Sequence, residues 1–446
     1  MTCQPIGGRS STDGAAYRLL RRAIDLRPDE VRGLVWSWLY IFSVLSSYYI
    51  MRPIRDEMGV ASGVESLPWL FTGTLLGMML VNPPFAALVA RLPRVRFISV
   101  AYRFFMANLL LFFLLLKVAT PEQNIWVGRI FFIWTSVFNL FVVSVFWALM
   151  VDVFDAGQGK RLFGVISAGA TLGSILGSSL TATLSRHVGS TYLLLGSAFL
   201  LEIAVFSVRR LSRLSEALRL RPAARGVEAP IGGNVLSGFT HAFRSRYLLN
   251  ISVYMLLYSI TSTFLYFEQA TIVNRNFADR AARTTFFAQV DLVVDVLTLG
   301  AQLFLTERLL RGLGMALTLT LLPALSVLGF VTLGLTPTVA IIVMFQVLRR
   351  TSNFAVARPT REVLFTVIPR EDKYKAKSFI DTVIYRSGDQ IGAWSYALLS
   401  ALGLSLTGIA LAAVPLSAAW LLNGFWLGRE QETMGAAQEP LSRMSV

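Results

Sequence analysis

Apolar runs of membrane length recur along the whole chain and are separated by short polar connections. A helix needs roughly 20 apolar residues to cross a bilayer, and runs of this length favour helices over the alternating strands of a membrane barrel. The pattern therefore predicts an all-α membrane protein with about twelve transmembrane helices. The predicted helices cover residues 34–58, 67–89, 97–118, 125–153, 162–184, 192–208, 248–273, 286–305, 315–335, 339–354, 379–402 and 404–427.

Polar residues recur along the chain with a nearly constant spacing. Four pairs are separated by 216 or 217 residues, namely Arg91 and Arg308, Arg161 and Lys377, Asp155 and Glu371, and Arg52 and Glu268. Parallel repeats of six helices are typical of the major facilitator fold, so the spacing predicts two six-helix halves. Chance alignment of loop arginines is the alternative explanation. The predicted division is an N-terminal segment 1–32, a bundle 33–209, a linker 210–246, a bundle 247–428 and a tail 429–446.

Basic residues accumulate on one set of connections. The 446 residues include 41 Lys and Arg against 26 Asp and Glu, which gives a net charge of +15. Basic connections are retained on the cytoplasmic side and attract anionic lipid, so lipid contacts rather than nucleic acid account for this charge. Both termini and the linker are therefore predicted to be cytoplasmic, and no removable signal peptide is visible. The basic segments on this side are 1–32, 91–96, 160–161, 209–246, 308–311 and 370–377, whereas Arg275, Arg280 and Arg283 depart from the rule.

Few residues are available for metal or catalytic chemistry. The chain has one cysteine, Cys3, and two histidines, His187 and His241, which makes a disulfide framework or a zinc cluster improbable. No paired-carboxylate, nucleophile or phosphate-loop motif stands out. We therefore expect neither a cofactor nor a metal, and we do not expect an enzyme.

Small residues between Gly164 and Ser179 have the spacing of a close helix contact. We expect this stretch of the fifth helix to pack against the second or the eighth helix.

Charged residues follow the apolar part of the first helix. Arg52, Arg55, Asp56 and Glu57 lie within the stretch from Tyr49 to Gly59, after a run that contains no charge. These side chains mark either the membrane surface or an aqueous cavity between helices, where ionisable groups handle a substrate or an ion. Pro53 removes a backbone donor in the same stretch and predicts a kink.

Two later helices carry acidic pairs. Asp291 and Asp295 share a helical face, where they either couple a cation or proton or form an ionic lock with Arg308 or Arg311. On the eleventh helix, Asp381 and Asp389 share a face from which Arg386 is predicted to point away. We favour a structural ionic network for these three, since buried charges need partners.

Several motifs resemble those of the ATP/ADP antiporter family of bacterial and plastid nucleotide transporters, within the major facilitator superfamily. The resemblance lies in the first helix and in its continuation Gly63-Val-Glu-Ser-Leu-Pro68, and in Glu268 on the seventh helix. It extends to Phe146-Trp147, Gly159-Lys-Arg-Leu-Phe-Gly164, Arg358-Pro-Thr-Arg-Glu362 and Lys375-Ala-Lys-Ser-Phe-Ile-Asp381. Arg55 stands where the family has a lysine, and Gln158 stands where it has a glutamate.

The resemblance, together with the cost of charge at membrane depth, implies a secondary transporter that works by alternating access in a bacterial inner membrane. We expect it to move an anionic, nucleotide-like or phosphorylated solute by exchange or ion coupling. The predicted substrate-binding residues are Arg52, Arg55, Asp56, Glu268, Arg358 and Arg361. The predicted gating and coupling residues are Lys160, Arg161, Asp291, Asp295, Glu362, Lys377 and Asp381.

Two other functions compete with this expectation. One is a major facilitator exporter or proton symporter for another organic metabolite or drug. The other is a membrane scaffold or lipid-handling protein that has kept the fold without transporting.

Overall fold

The computed structural model of the chain describes residues 27, 30–91, 93–154, 156–218, 245–368, 376–377 and 379–443. Twelve long helices lie in this part of the chain, so the predicted all-α membrane architecture is confirmed. Eleven of them are long and apolar enough to cross a membrane. The remaining one, α11, has 17 residues in regular helix and carries charged side chains.

The twelve helices overlap the twelve predicted runs. They are α1 Val31–Ala61, α2 Leu67–Arg91, α3 Arg94–Val118, α4 Pro121–Val153, α5 Ala156–Leu184, α6 Ser190–Leu218, α7 Arg246–Asn276, α8 Arg280–Phe304, α9 Thr306–Leu335, α10 Val339–Leu364, α11 Tyr385–Ala401 and α12 Leu406–Arg443. Of these, α6, α9, α10 and α12 extend well beyond the predicted runs. α6 continues as far as Leu218, into the predicted linker 210–246, and residues 219–244 of that linker lie outside the described part.

Two helices are interrupted in ways that the apolar pattern does not reveal. In α10, residues Asn353–Ala357 form a π-helical turn, and a second such turn, Ile380–Ile384, precedes α11. Each π-helical turn adds a residue to the helical repeat and therefore rotates the face presented by everything after it. α9 has a break at Gly314, whose φ of 74° is readily adopted only by glycine.

Side-chain caps begin three helices at the same end of the bundle. The backbone N–H of Gln123 donates to the Thr120 hydroxyl at the start of α4, and that of Ala282 donates to Asp279 at the start of α8. The Thr338 hydroxyl accepts a hydrogen bond from the backbone N–H of Ile341 at the start of α10. Each cap satisfies a backbone donor that the first helical turn leaves unpaired.

α1 is the helix around which the N-terminal half is built. It packs against α4, α5 and α6 and also reaches α7 and α8 of the other half. The helix runs without interruption through Pro53 and buries Asp56 and Glu57 near its end. A helix with charged groups buried at this depth requires partners from its neighbours.

The closest helix contact in this half is between α5 and α1. A Cβ atom on Gly173 would lie 2.5 Å from the Phe42 carbonyl oxygen, and one on Gly177 would lie 2.5 Å from that of Ser46. The small-residue stretch thus packs against α1, a contact that the sequence pattern does not predict. α5 also packs along α8, so the predicted contact with the eighth helix is confirmed.

The two halves meet most closely at the end of the bundle where α1 and α7 finish, which we call the closed end. There, one apolar cluster combines residues of the N-terminal half, including Leu67, Leu70 and Phe132, with Phe264 and Phe267 of the C-terminal half. The opposite end carries the predicted basic connections and is called the basic end.

Polar contacts reinforce the closed end. Arg280 donates two hydrogen bonds to the buried carboxylate of Glu57, at 2.9 and 3.1 Å. Thr72 of α2 donates to Gln390 of α11 at 2.9 Å. Arg280, which departed from the charge rule, thus has a specific partner across the interface between the halves.

We expect Gly177→Val to lower the stability of the folded protein by about 1–3 kcal/mol, because its side chain would overlap the α1 backbone. Gly164→Val on the same helix is the matched control, since a Cβ there meets no atom within 4 Å. Thermal unfolding of both purified variants in one detergent measures the effect. Equal melting temperatures would show that α1 and α5 are not in the described contact.

We expect Arg280→Gln to loosen the closed end, since Glu57 would remain buried without its cation. The readout is maleimide labelling of Leu70→Cys, introduced after replacement of Cys3, because Leu70 is only 3% exposed. The labelling rate should rise about fivefold, equivalent to about 1 kcal/mol. Arg103→Gln is the control, because Arg103 pairs with Glu202 within the N-terminal half. A rate that Arg280→Gln leaves unchanged would contradict a closing role for this pair.

Candidate functional site

A wide cavity of about 1030 Å³ separates the two halves on the side of the basic end. It is lined by α2 and α4 from one half and by α7, α10, α11 and the π-helical turn before α11 from the other. Its volume is that of pockets which hold drug-sized organic ligands. Its charged lining residues are Arg358, Arg361, Glu362, Asp381 and Arg386.

A smaller compartment of about 180 Å³ lies deeper, toward the closed end. It shares Tyr385, Arg386 and Gln390 with the wide cavity, so the two spaces adjoin. Its volume equals that of about six water molecules in the liquid. Both halves contribute to it, the N-terminal half through Arg55 and Ser136 among others.

Arg55 is held at this compartment by its neighbour on α1. Its Nε and one terminal nitrogen donate to the Oδ1 atom of Asp56 at 3.0 and 2.7 Å, and the guanidinium lies 4.7 Å from the centre of the Phe132 ring. The same Oδ1 atom accepts a hydrogen bond from the Tyr266 hydroxyl of the other half at 3.1 Å. Asp56 therefore connects the cation at the compartment to a contact between the halves.

Arg386 and Asp389 face the same compartment from α11. They form an ion pair at 3.2 Å, and the Ser259 hydroxyl donates to the other carboxylate oxygen of Asp389 at 2.5 Å. The prediction that Arg386 points away from Asp389 is therefore wrong. Residues three apart are neighbours on a helix, and the π-helical turn before Tyr385 additionally rotates both of them relative to Asp381.

The end of α10 carries cations at the wide cavity. Arg358 and Arg361 both line it, and the Arg361 guanidinium lies 5.6 Å from the centre of the Tyr258 ring. Glu362 lines the cavity too and is paired with Lys377, while Asp381 completes the acidic lining. The predicted site residues at the end of α10, together with Asp381, thus line the same cavity.

Arg52 does not line either of these two spaces. Its Nε lies 3.6 Å from Asp291 of α8, which also pairs with Arg350 of α10 at 2.6 Å. The described partners of this acidic pair are thus Arg52 and Arg350 rather than Arg308, and the side chain of Arg311, the other predicted partner, lies outside the described part. Asp295, one turn further, is buried, and its Oδ2 atom has no hydrogen-bond partner within the described part of the chain.

Glu268 is fully buried in α7, close to the closed end. Its carboxylate oxygens accept no well-formed hydrogen bond from the described residues, although the Tyr396 hydroxyl of α11 lies close enough for a weak one. It does not pair with Arg52, its counterpart in the repeat. Tyr396 of α11 and Arg275 lie near enough to interact with it electrostatically.

At the basic end, Glu30 and the start of α5 form a separate ionic contact. Arg161 donates to both oxygens of Glu30, at 2.8 and 3.3 Å, and Gln158 donates to one of them. Burial alone would raise the pKa of Glu30, but these donors and the Arg27 N–H outweigh it and lower that pKa. The side chain of Lys160 lies outside the described part.

The residues predicted for the site do not include Arg386, Asp389 and Gln390, which line the cavities, or Arg349 and Arg350. Arg349 is buried and donates to Ser326, to Thr261 and to the carbonyl oxygen of Tyr258, so it ties α10 to α7 and α9. The sequence marks the ionisable ones among these residues only by their charge at membrane depth. That charge does not distinguish side chains that line a cavity from side chains that hold helices together.

Comparison with characterised proteins gives relatives along most of the chain. An ADP,ATP carrier protein 2 of Chlamydia pneumoniae is 22% identical, with 91% of this chain and 90% of that protein aligned. The ADP,ATP carrier protein 2 of Chlamydia trachomatis is 21% identical over 72% of this chain and 68% of its own length. No family model matches the chain.

Solved structures agree on the fold. The nucleoside transporter NupG covers 90% of this chain and 98% of its own, with a TM-score of 0.58 and 14% identity. The POT family transporter PepTSo covers 91% and 98%, with a TM-score of 0.62 and 13% identity. These relatives and neighbours are transporters rather than enzymes, as expected. The chain is a multi-pass secondary transporter with the major facilitator fold, and its relatives are ADP,ATP carrier proteins.

Proposed function

We propose that the protein moves an anionic, phosphorylated solute of the nucleotide class across the membrane by alternating access. The observation that carries this proposal is the set of four arginines at the adjoining cavities. Arg55 comes from the N-terminal half, and Arg358, Arg361 and Arg386 come from the other. Guanidinium groups bind phosphate and carboxylate oxygens through paired, charge-assisted hydrogen bonds.

The carboxylates at the cavities balance these cations in the empty transporter. Asp56 and Asp389 each pair with an arginine on their own helix, which limits the cost of holding charge at membrane depth. A polyanionic substrate would replace these carboxylates as the partner of the arginines. The solute would move by exchange or by ion coupling.

Alternating access requires the closed end to open while the basic end closes. The contacts that would have to break include Arg280 with Glu57 and Arg52 with Asp291. We assign Arg52, Arg350, Asp291 and Asp295 to this rearrangement rather than to direct contact with the substrate. Arg161, Glu362 and Lys377 would act at the basic end, and Lys160 is expected to join them.

We further propose that the basic end faces the cytoplasm of a bacterial cell, with the protein in the inner membrane and both termini cytoplasmic. The positive-inside rule supports this orientation. The bundles 33–209 and 247–428 would then rock against each other, joined by the cytoplasmic linker 210–246. In this orientation the described conformation is open to the cytoplasm, and the basic connections contact anionic lipid.

Proton-coupled transport of another organic solute is the second candidate. It is favoured by Glu268, a carboxylate that is buried in α7 and has no ion pair among the described residues. Carboxylates at membrane depth form proton relays in pumps and transporters. Uptake of an uncharged or cationic solute driven by a pH gradient would support this candidate.

We expect Arg55→Ala to abolish ADP uptake into proteoliposomes loaded with ATP, because Arg55 is the one cation that the described part of the N-terminal half contributes to the compartment. Arg55→Lys should retain part of the uptake, since the ammonium keeps the charge and loses the paired donors. Arg103→Ala is the matched control, because Arg103 pairs with Glu202 and lines neither cavity.

Folding of each variant is checked by its melting temperature before reconstitution. Uptake by Arg55→Ala at the rate of the unmodified protein would refute the role of Arg55. Failure of the unmodified protein to exchange any phosphorylated solute would refute the proposed function itself.

A further inference from the structure

We infer that Arg386 and Arg55 form a two-sided clamp for the terminal anionic group of the substrate, and that Asp389 occupies the Arg386 side of this clamp in the empty transporter. The inference rests on the proposed function and adds the position and orientation of the substrate. It assigns to Arg386 and Asp389 roles that the motifs of the chain do not indicate.

The geometry of the deep compartment supports a clamp. Its charged lining residues are Arg55, Arg386 and Asp389, so its two cations come from opposite halves of the molecule. Hydroxyl groups of Ser136, Ser262 and Tyr266 are among the remaining polar lining. Guanidinium and hydroxyl donors are the groups that bind phosphate oxygens.

The sizes of the two spaces set the orientation of the substrate. The deep compartment, at about 180 Å³, is too small for a whole nucleotide, whereas the adjoining cavity has about 1030 Å³. A substrate that enters from the basic end with its phosphates first would place the terminal one between Arg55 and Arg386. Its remainder would lie in the wide cavity, beside Arg358 and Arg361.

The existing partner of Arg386 holds it only loosely. A single terminal nitrogen of Arg386 contacts Asp389, at 3.2 Å, and the Arg386 side chain is 34% exposed. By contrast, Arg280 donates two hydrogen bonds to Glu57. A guanidinium has five N–H donors, so Arg386 has further donors to offer an entering anion.

Asp389 is held in place by more than its ion pair. The Ser259 hydroxyl donates to its Oδ1 atom, and the backbone of α7 approaches α11 closely at the neighbouring Gly388. Replacement of Asp389 by Asn would keep an oxygen that accepts from Ser259 and would remove the negative charge. This variant therefore tests the charge without removing the packing.

The clamp also explains how substrate binding affects contacts at the interface between the halves. An anion bound by Arg55 and Arg386 draws α1 and α11 together. It also competes with Asp56 for Arg55, and Asp56 accepts the Tyr266 hydroxyl of the other half. Binding thus changes a contact between the two halves near the closed end.

Calorimetric titration of the purified full-length chain with ADP, inorganic pyrophosphate and adenosine tests the inference. Arg386→Gln should weaken ADP and pyrophosphate binding by about tenfold or more, the scale of a charge-assisted hydrogen bond. Asp389→Asn should tighten both, because the competing carboxylate is gone. Adenosine, which has no anionic group, should bind all variants alike.

Arg103→Gln and Glu202→Gln are matched controls for the same chemical changes in an ion pair outside the cavities. Partial recovery of ADP binding by Arg386→Lys would support a direct charge contact. Unchanged binding by Arg386→Gln, or weaker binding by Asp389→Asn, would overturn the clamp. If the unmodified chain binds neither ADP nor pyrophosphate, the proposed function fails together with the clamp, and that result is distinguishable from the other two.

Discussion

The cost of an unpaired charge at membrane depth is the constraint on which this structure depends. It requires that each buried charge have a partner. The buried carboxylate of Glu57 pairs with Arg280, that of Asp291 pairs with Arg350, and the buried guanidinium of Arg349 donates to hydroxyl and carbonyl oxygens. Ion pairs within one half hold that six-helix bundle together. Ion pairs between the halves would exchange partners when the halves move, and this exchange would allow the protein two alternative conformations.

The same need for charge pairing governs how the cavity would bind its substrate. Arg55 and Arg386 each pair with a carboxylate on their own helix, so the empty site is nearly neutral. An anionic ligand would take over the partner role that these carboxylates now have. Recognition and the change between conformations would therefore use the same set of ionic contacts, with Asp56 taking part in both.

Most of the fold was predictable from the sequence, because a spanning helix is defined by its apolar length alone. The ends of α1 and α7 lie within a few residues of the predicted limits. The site was harder to predict, since charge at membrane depth does not identify the partner. Arg52 was assigned to the substrate but pairs with Asp291. The π-helical turns before Arg358 and Tyr385 change which side chains face the cavity, and apolar periodicity carries no sign of them.

An electron cryomicroscopy structure of the protein with bound ADP tests the central claim most directly, because it locates the phosphates. We predict density for the terminal phosphate between Arg55 and Arg386, with the Asp389 carboxylate no longer in contact with Arg386. The nucleoside part should lie in the wide cavity, toward the basic end. Phosphates bound elsewhere, with the Arg386–Asp389 pair intact, would contradict the account.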